Sequence, residues 1–183
     1  MSNFPFPSKK LALEEIRNDL LYNKMLKNGV DVDAAAEKAW ETGAQAARDF
    51  FEKNGGETDF RKIARREGLK IERVYKDNVI GGMRYFAEYE TNKKVMYLYT
   101  ESIKKWAAKN ELSEGKAENL ILAHEYFHHL ENTKLGLTSK QVELPVISIF
   151  GLKLGKTGVR ALSEVGAHGF ARTYFELAKR ITY

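Results

Sequence analysis

The sequence predicts an α+β protein. A small three-stranded antiparallel or mixed sheet packs against a histidine-bearing helix and a C-terminal helix, with a helical pair ahead of them. Three observations predict this. Apolar residues recur at helical spacing near both ends of the chain. Three short runs between residues 69 and 99 alternate apolar and polar side chains. A long helical pattern over 113–132 holds three of the four histidines. At 183 residues, 43% of them hydrophobic, the chain can bury one core but hardly two.

The elements follow in order. Residues 9–27 fit one helix, capped by Ser8 and stopped by Gly29, with Leu13, Ile16 and Leu20 at helical spacing. Residues 33–53 fit an alanine-rich helix capped by Asp33, with Ala36, Trp40, Ala47 and Phe51 on its apolar side and Asn54-Gly55-Gly56 after it. The short Gly29 turn makes them an antiparallel pair. Residues 1–57 are thus read as a helical pair within the same compact unit as a core domain over 58–183. A short helix follows Asp59. Residues 69–75, 83–89 and 95–99 read as strands, separated by Gly81-Gly82 and Thr91-Asn92-Lys93, and the last two as a hairpin. Then come a short helix over 102–109 and the helix over 113–132, capped by Ser113. An irregular stretch, 133–158, contains Pro145 and four glycines, and a final helix covers 159–180.

The chemistry gathers in His124-Glu125-Tyr126-Phe127-His128-His129-Leu130. On a helix His124 and His128 are about 40° apart, so both imidazoles leave one face and can share an ion. Glu125 stands beside the pair. Two neutral imidazoles suit Zn²⁺, which lowers the pKa of water toward neutrality, and a carboxylate so placed can take the proton as general base. Such a site needs a third protein ligand. Glu164, in the final helix, is the leading candidate; His168, one turn on, is its rival, and Glu143 is a more distant one. Gly166 and Gly169 slim the final helix for close approach to the motif helix. His129 is turned about 100° from His128 and reads as a surface or supporting residue. The bland alternative is a buried helical turn whose histidines are hydrogen-bonded in the core.

Together these residues resemble a known family. His124-Glu125-x-x-His128, followed by Glu164-x-x-Ala167-x-x-Phe170-Ala171, is similar to the ImmA/IrrE family of zinc metallopeptidase-like domains, over residues 60–175. The resemblance implies a zincin-like fold of the gluzincin type, with His124, His128 and Glu164 as zinc ligands and Glu125 as catalytic acid/base. It further implies cleavage of a peptide bond in a protein, such as a regulatory protein of a mobile element. The family usually has glycine before its second histidine, where this chain has Phe127, and a proline commonly follows the Phe-Ala helix, where this chain continues as helix. His168, Tyr174, Arg172 and Tyr126 are candidates to support the ligands or to donate to an oxyanion. Residues 95–99, read as an edge strand, either offer an extended peptide a place to pair or form a plain core strand.

Bulk properties exclude other classes. Without cysteine there is no disulfide, thiolate metal site or cysteine nucleophile. No run approaches the roughly 20 apolar residues of a membrane span, and the opening residues lack a signal-peptide layout, so a cytoplasmic protein with no membrane partner is expected. The net charge of +5 is spread among acids, with one tight cluster at Arg61-Lys62-Ile63-Ala64-Arg65-Arg66, and no nucleic-acid motif accompanies it. Nucleic acid is therefore not expected as a partner. Two readings compete with a peptidase: a noncatalytic protein-binding or regulatory module retaining the metal, and a metallohydrolase acting on another bond.

Overall fold

The computed structural model of the protein describes residues 6–149 and 152–181. Residues 1–5, which carry part of the signal-peptide reading, and 150–151, within the most apolar run, lie outside the described residues. Seven α-helices are described: α1 (Lys9–Arg17), α2 (Tyr22–Lys27), α3 (Val32–Lys53), α4 (Phe60–Arg66), α5 (Thr100–Lys109), α6 (Glu114–Leu130) and α7 (Arg160–Ile181). The strands are β1 (Lys70–Val74), β2 (Asn78–Ile80), β3 (Met83–Tyr85), β4 (Ala87–Glu90), β5 (Val95–Tyr99), β6 (Glu143–Ile149) and β7 (Leu152–Gly158). The class is α+β, and no described helix is long and apolar enough to cross a membrane.

The first predicted helix is two. The Asp19 carboxylate accepts a hydrogen bond from the Leu21 amide at 2.7 Å, a local turn that competes with the helical ladder and separates α1 from α2. Asp31, one residue before α3, is its cap and accepts from Ala34 N. Asp33, expected as the cap, lies in the first turn and pairs with Arg17. α3 packs more extensively on α7 than any other helix pair does, and α1 lies against both.

The main sheet is mixed, in the order β1-β5-β4, with β1 parallel and β4 antiparallel to β5. The run 95–99 is therefore the central strand and not the edge. Its residues are all apolar or aromatic and four of the five are buried, as a strand covered on both faces requires. β4 is a free edge among the described strands. The predicted strand 83–89 divides at Phe86. β3 pairs with β2 across Gly81-Gly82, both in the left-handed region, as a separate hairpin.

α6 occupies the centre and is buried on almost every side. It runs into a π-helical turn (Glu131–Leu135), ended by Gly136 at φ +81°, and then a 3₁₀ turn (Thr138–Gln141). The stretch expected to be irregular is thus largely ordered. β6 and β7 form an antiparallel hairpin in which Pro145 sits opposite Lys156. α3 and α7 touch backbone to backbone. A Cβ on Gly43 would fall 1.8 Å from the Gly166 carbonyl oxygen, and one on Gly169 would fall 2.5 Å from that of Trp40. A Cβ on Gly166 would also meet the Phe127 ring at 2.8 Å. The bulk of Phe127 before the second motif histidine is therefore accommodated by a glycine across the helix interface.

Candidate metal centre

α6 presents His124 and His128 on one face, and α7, running beside it, brings Glu164 to the same point. One ligand atom from each lies within 4.8 Å of the others. His124 Nε2 is 3.2 Å from Glu164 Oε2 and 3.3 Å from His128 Nε2, and the third edge, from His128 Nε2 to Glu164 Oε2, is 3.9 Å. An imidazole nitrogen has one proton or one lone pair in the ring plane, so His124 Nε2 cannot serve both neighbours by hydrogen bonding. A cation at the centre of the three would satisfy all of them. The His124–His128–Glu164 group can therefore hold a metal ion, and the donor set, two imidazoles and a carboxylate, suits a transition-metal ion.

Residues behind the triad fix its orientation. Glu131, from the π-helical turn and 2% exposed, lies 3.0 Å from His128 Nδ1. The Ser163 hydroxyl donates to the same carboxylate oxygen, and the Thr138 amide donates to the other at 2.8 Å. With its Nδ1 proton directed at Glu131, His128 turns the Nε2 lone pair toward the triad, the arrangement that supports histidine ligands generally. His124 Nδ1 is buried with no hydrogen-bond partner among the described residues.

The electrostatics agree with a site that attracts positive charge. Burial works against a charged Glu164, but the hydrogen bond and charge of His124, with His128 and Arg160, hold its carboxyl well below the usual carboxylate range. Burial likewise opposes a proton on His128, yet Glu131 and the fields of Glu164 and Glu125 raise it to about 9. Three carboxylates thus draw a cation to this point, and without a metal they draw a proton. Metal binding must displace that proton. Glu125 is 7% exposed, and burial raises its proton affinity against the pull of both histidines.

The triad lies in a cleft of about 960 Å³ with Glu125 in its lining. One wall is α6 and α7; the other is the β4 edge and the β2–β3 hairpin, with α1 closing an end through Glu15. His168 lines the cleft, its ring 5.0 Å from that of His124 and its Nε2 3.7 Å from Glu15, but it is not one of the three converging groups. Burial and the neighbouring His124 lower its pKa to about 3, so it is neutral. Tyr174 does not line the cleft. Its ring is buried in the core and its hydroxyl donates to the Glu57 carbonyl, because α7 turns this residue toward α3. Tyr126 is buried against Phe50 and Phe60. Arg172 holds backbone carbonyls of residues 6 and 7. Glu143 is in β6, paired with Lys156.

Two features escaped the sequence. His129 is no surface residue: it is buried, and its Nδ1 meets the Tyr89 hydroxyl at 2.9 Å, tying α6 to β4. Glu131 was not singled out, although its position three residues after His128 is the spacing at which helical side chains meet. Comparison with protein-family models, with curated proteins and with solved structures finds no match to this chain.

Proposed function

We propose that the protein is a zinc-dependent metallopeptidase of zincin-like fold, akin to the ImmA/IrrE family, that cleaves a peptide bond in a protein substrate. The observation that carries this reading is the convergence of His124, His128 and Glu164 with Glu125 beside them in one open cleft. Tetrahedral zinc with ligands at about 2.0–2.1 Å separates its ligand atoms by about 3.3–3.4 Å, close to the two shorter edges of the triad, 3.2 and 3.3 Å.

His124 Nε2, His128 Nε2 and Glu164 Oε2 would hold the ion, which when bound supplies a Lewis acid that polarises a carbonyl and acidifies water. The chain's residues do the rest. Glu131 keeps His128 in the productive tautomer. Glu125, too weakly solvated to remain a strong acid, takes a proton from the attacking water and returns it to the leaving amine. The free edge of β4, which lines the cleft, offers main-chain groups to an extended peptide. His168, neutral and with its ring 5.0 Å from that of His124, is a candidate donor to a developing oxyanion.

Elemental analysis of protein prepared with ample metal tests the first half: one zinc per chain is expected, and none would sink the proposal. Glu125→Gln tests the second. The variant should keep zinc and lose hydrolysis of an unfolded protein substrate such as casein. If wild type binds zinc and leaves such substrates intact, the protein is a metal-containing binding module.

A further inference from the structure

Phe6 and Pro7, just before α1, line the cleft beside the triad. The Phe6 ring is stacked on the His124 imidazole, with 5.9 Å between centroids and 11° between planes. It also meets Trp106 and His168, each at 5.8 Å, and Phe86 stands against Trp106 at 5.5 Å. The backbone here is held as well. The Arg172 guanidinium donates to the carbonyls of Phe6 at 3.2 Å and Pro7 at 3.4 Å. Ser8 then caps α1, so the segment is anchored immediately downstream.

These contacts have the character of a side-chain subsite. The walls are a tryptophan and two imidazoles, with one ring stacked and two tilted against Phe6, an arrangement in which aromatic pairs gain beyond the area they bury. They open into the cleft that contains Glu125 and the three candidate ligands. Arg172 recognises consecutive main-chain carbonyls, which any peptide presents, whereas the ring alone carries sequence information.

We propose that the space between His124, His168 and Trp106 is a subsite for an aromatic side chain of a peptide ligand, and that Phe6 fills it as an internal competitor. The proposal rests on the peptide-cleaving reading and adds to it a substrate class, peptides with an aromatic residue seated beside His124. A tethered competitor acts at an effective concentration in the millimolar range. It lowers the apparent affinity for an incoming peptide by the fraction of time the subsite stands empty.

The test uses the full chain in a Glu125→Gln background and a fluorescently labelled peptide copying residues 5–9, Pro-Phe-Pro-Ser-Lys, read by anisotropy. Phe6→Ala should bind this peptide about tenfold more tightly than the chain that keeps Phe6. The same peptide with alanine for its phenylalanine should bind Phe6→Ala at least about tenfold more weakly. Phe6→Leu, which keeps bulk without stacking, should fall between and serves if Phe6→Ala does not fold by circular dichroism. Equal affinity of the Phe6 chain and its variants, or equal affinity for the two peptides, overturns the subsite. Anisotropy in this background reads occupancy without cleavage, so binding as described, together with a Glu125-bearing chain that hydrolyses no peptide, overturns the peptidase reading alone.

Discussion

The two long walls of the cleft are built on opposite principles. The helical wall, α6 and α7 backed by α3, is close-packed to the point of backbone contact at Gly43, Gly166 and Gly169, and its inward groups are braced by Glu131 and Ser163. The strand wall is a four-residue edge strand and a hairpin of two three-residue strands, with Ile80 59% and Met83 64% exposed. β4 is laddered to β5 and, with Phe86 before it, packs on the core through Ala87 and Tyr89, and polar contacts add to this: Tyr89 to His129, and Asp77 to Arg84, Lys105 and Ser102. Ligand atoms must stay fixed within fractions of an ångström, so they sit on over-determined helices. The strand wall carries none of the three candidate ligands and is free of that constraint.

The sharpest way to break this contrast is to force the helical wall apart. Gly43→Ala places a methyl group against the Gly166 carbonyl, with Phe170 N also within 2.9 Å, and backbone cannot yield as a side-chain tip would. A loss of about 3 kcal/mol by denaturant unfolding is expected, with weakened metal binding because Glu164 shifts with α7. A loss below about 0.5 kcal/mol would mean the helices are not seated as described.

Next in size is Glu131→Gln, which keeps the shape of the wall but removes the charge that orients His128. Metal affinity measured by competition with a chelator should fall about 10- to 100-fold while the fold persists. An unchanged affinity would show that the brace is incidental.

On the strand wall the effects should be smaller. Tyr89→Phe removes the hydroxyl paired with buried His129 and is expected to cost about 1 kcal/mol, with no change in metal affinity. Any large loss of metal would couple two walls described here as separable.

Asp77→Asn is the mildest. Amide exchange over residues 78–85 should quicken while the thermal midpoint stays near wild type. The hydrogen bonds of Arg84 and then Lys105 hold the Asp77 carboxyl well below its ordinary 3.8. A depressed folded pKa means the contribution is present above about 3.8 and is lost as pH falls through the lowered value. The wild-type hairpin should therefore remain anchored at pH 4 to 5. Exchange that quickens already at pH 5 would contradict the pairing.

The helical wall was largely legible in the sequence and the strand wall was not. His124, Glu125 and His128 are local, fixed by one helical repeat, and Glu164 lies on a strongly helical stretch whose glycines announce close packing, although the backbone they meet is that of α3 and not of the motif helix. Glu131 was missed although it stands at helical spacing from His128, because nothing local in the sequence shows that this side chain is buried. The burial of His129 follows from a helix covered all round, which Asn119-Leu-Ile-Leu-Ala123 already hinted at without naming the partner, Tyr89. Residues 95–99 were placed at an edge because the parallel partner, β1, lies more than twenty residues back, and parallel pairing has no local signature. Pro145 and the glycines hid the β6–β7 hairpin. Among the described residues its proline lies opposite Lys156, in a two-stranded ribbon with no third strand beside it.

The contact between Gly43 and Gly166 also has a meaning in time. It joins positions 123 residues apart (166 − 43), so it belongs to the slow, non-local class of folding events. On the ribosome His124 and His128 emerge well before Glu164, and the seat for α7 on α3 waits open until the later segment arrives. A nascent chain therefore holds two of the three candidate ligands long before the third, and it gains a complete set only as its two most distant long helices close. Any metal held by the three groups together is thereby bound after folding and not before it.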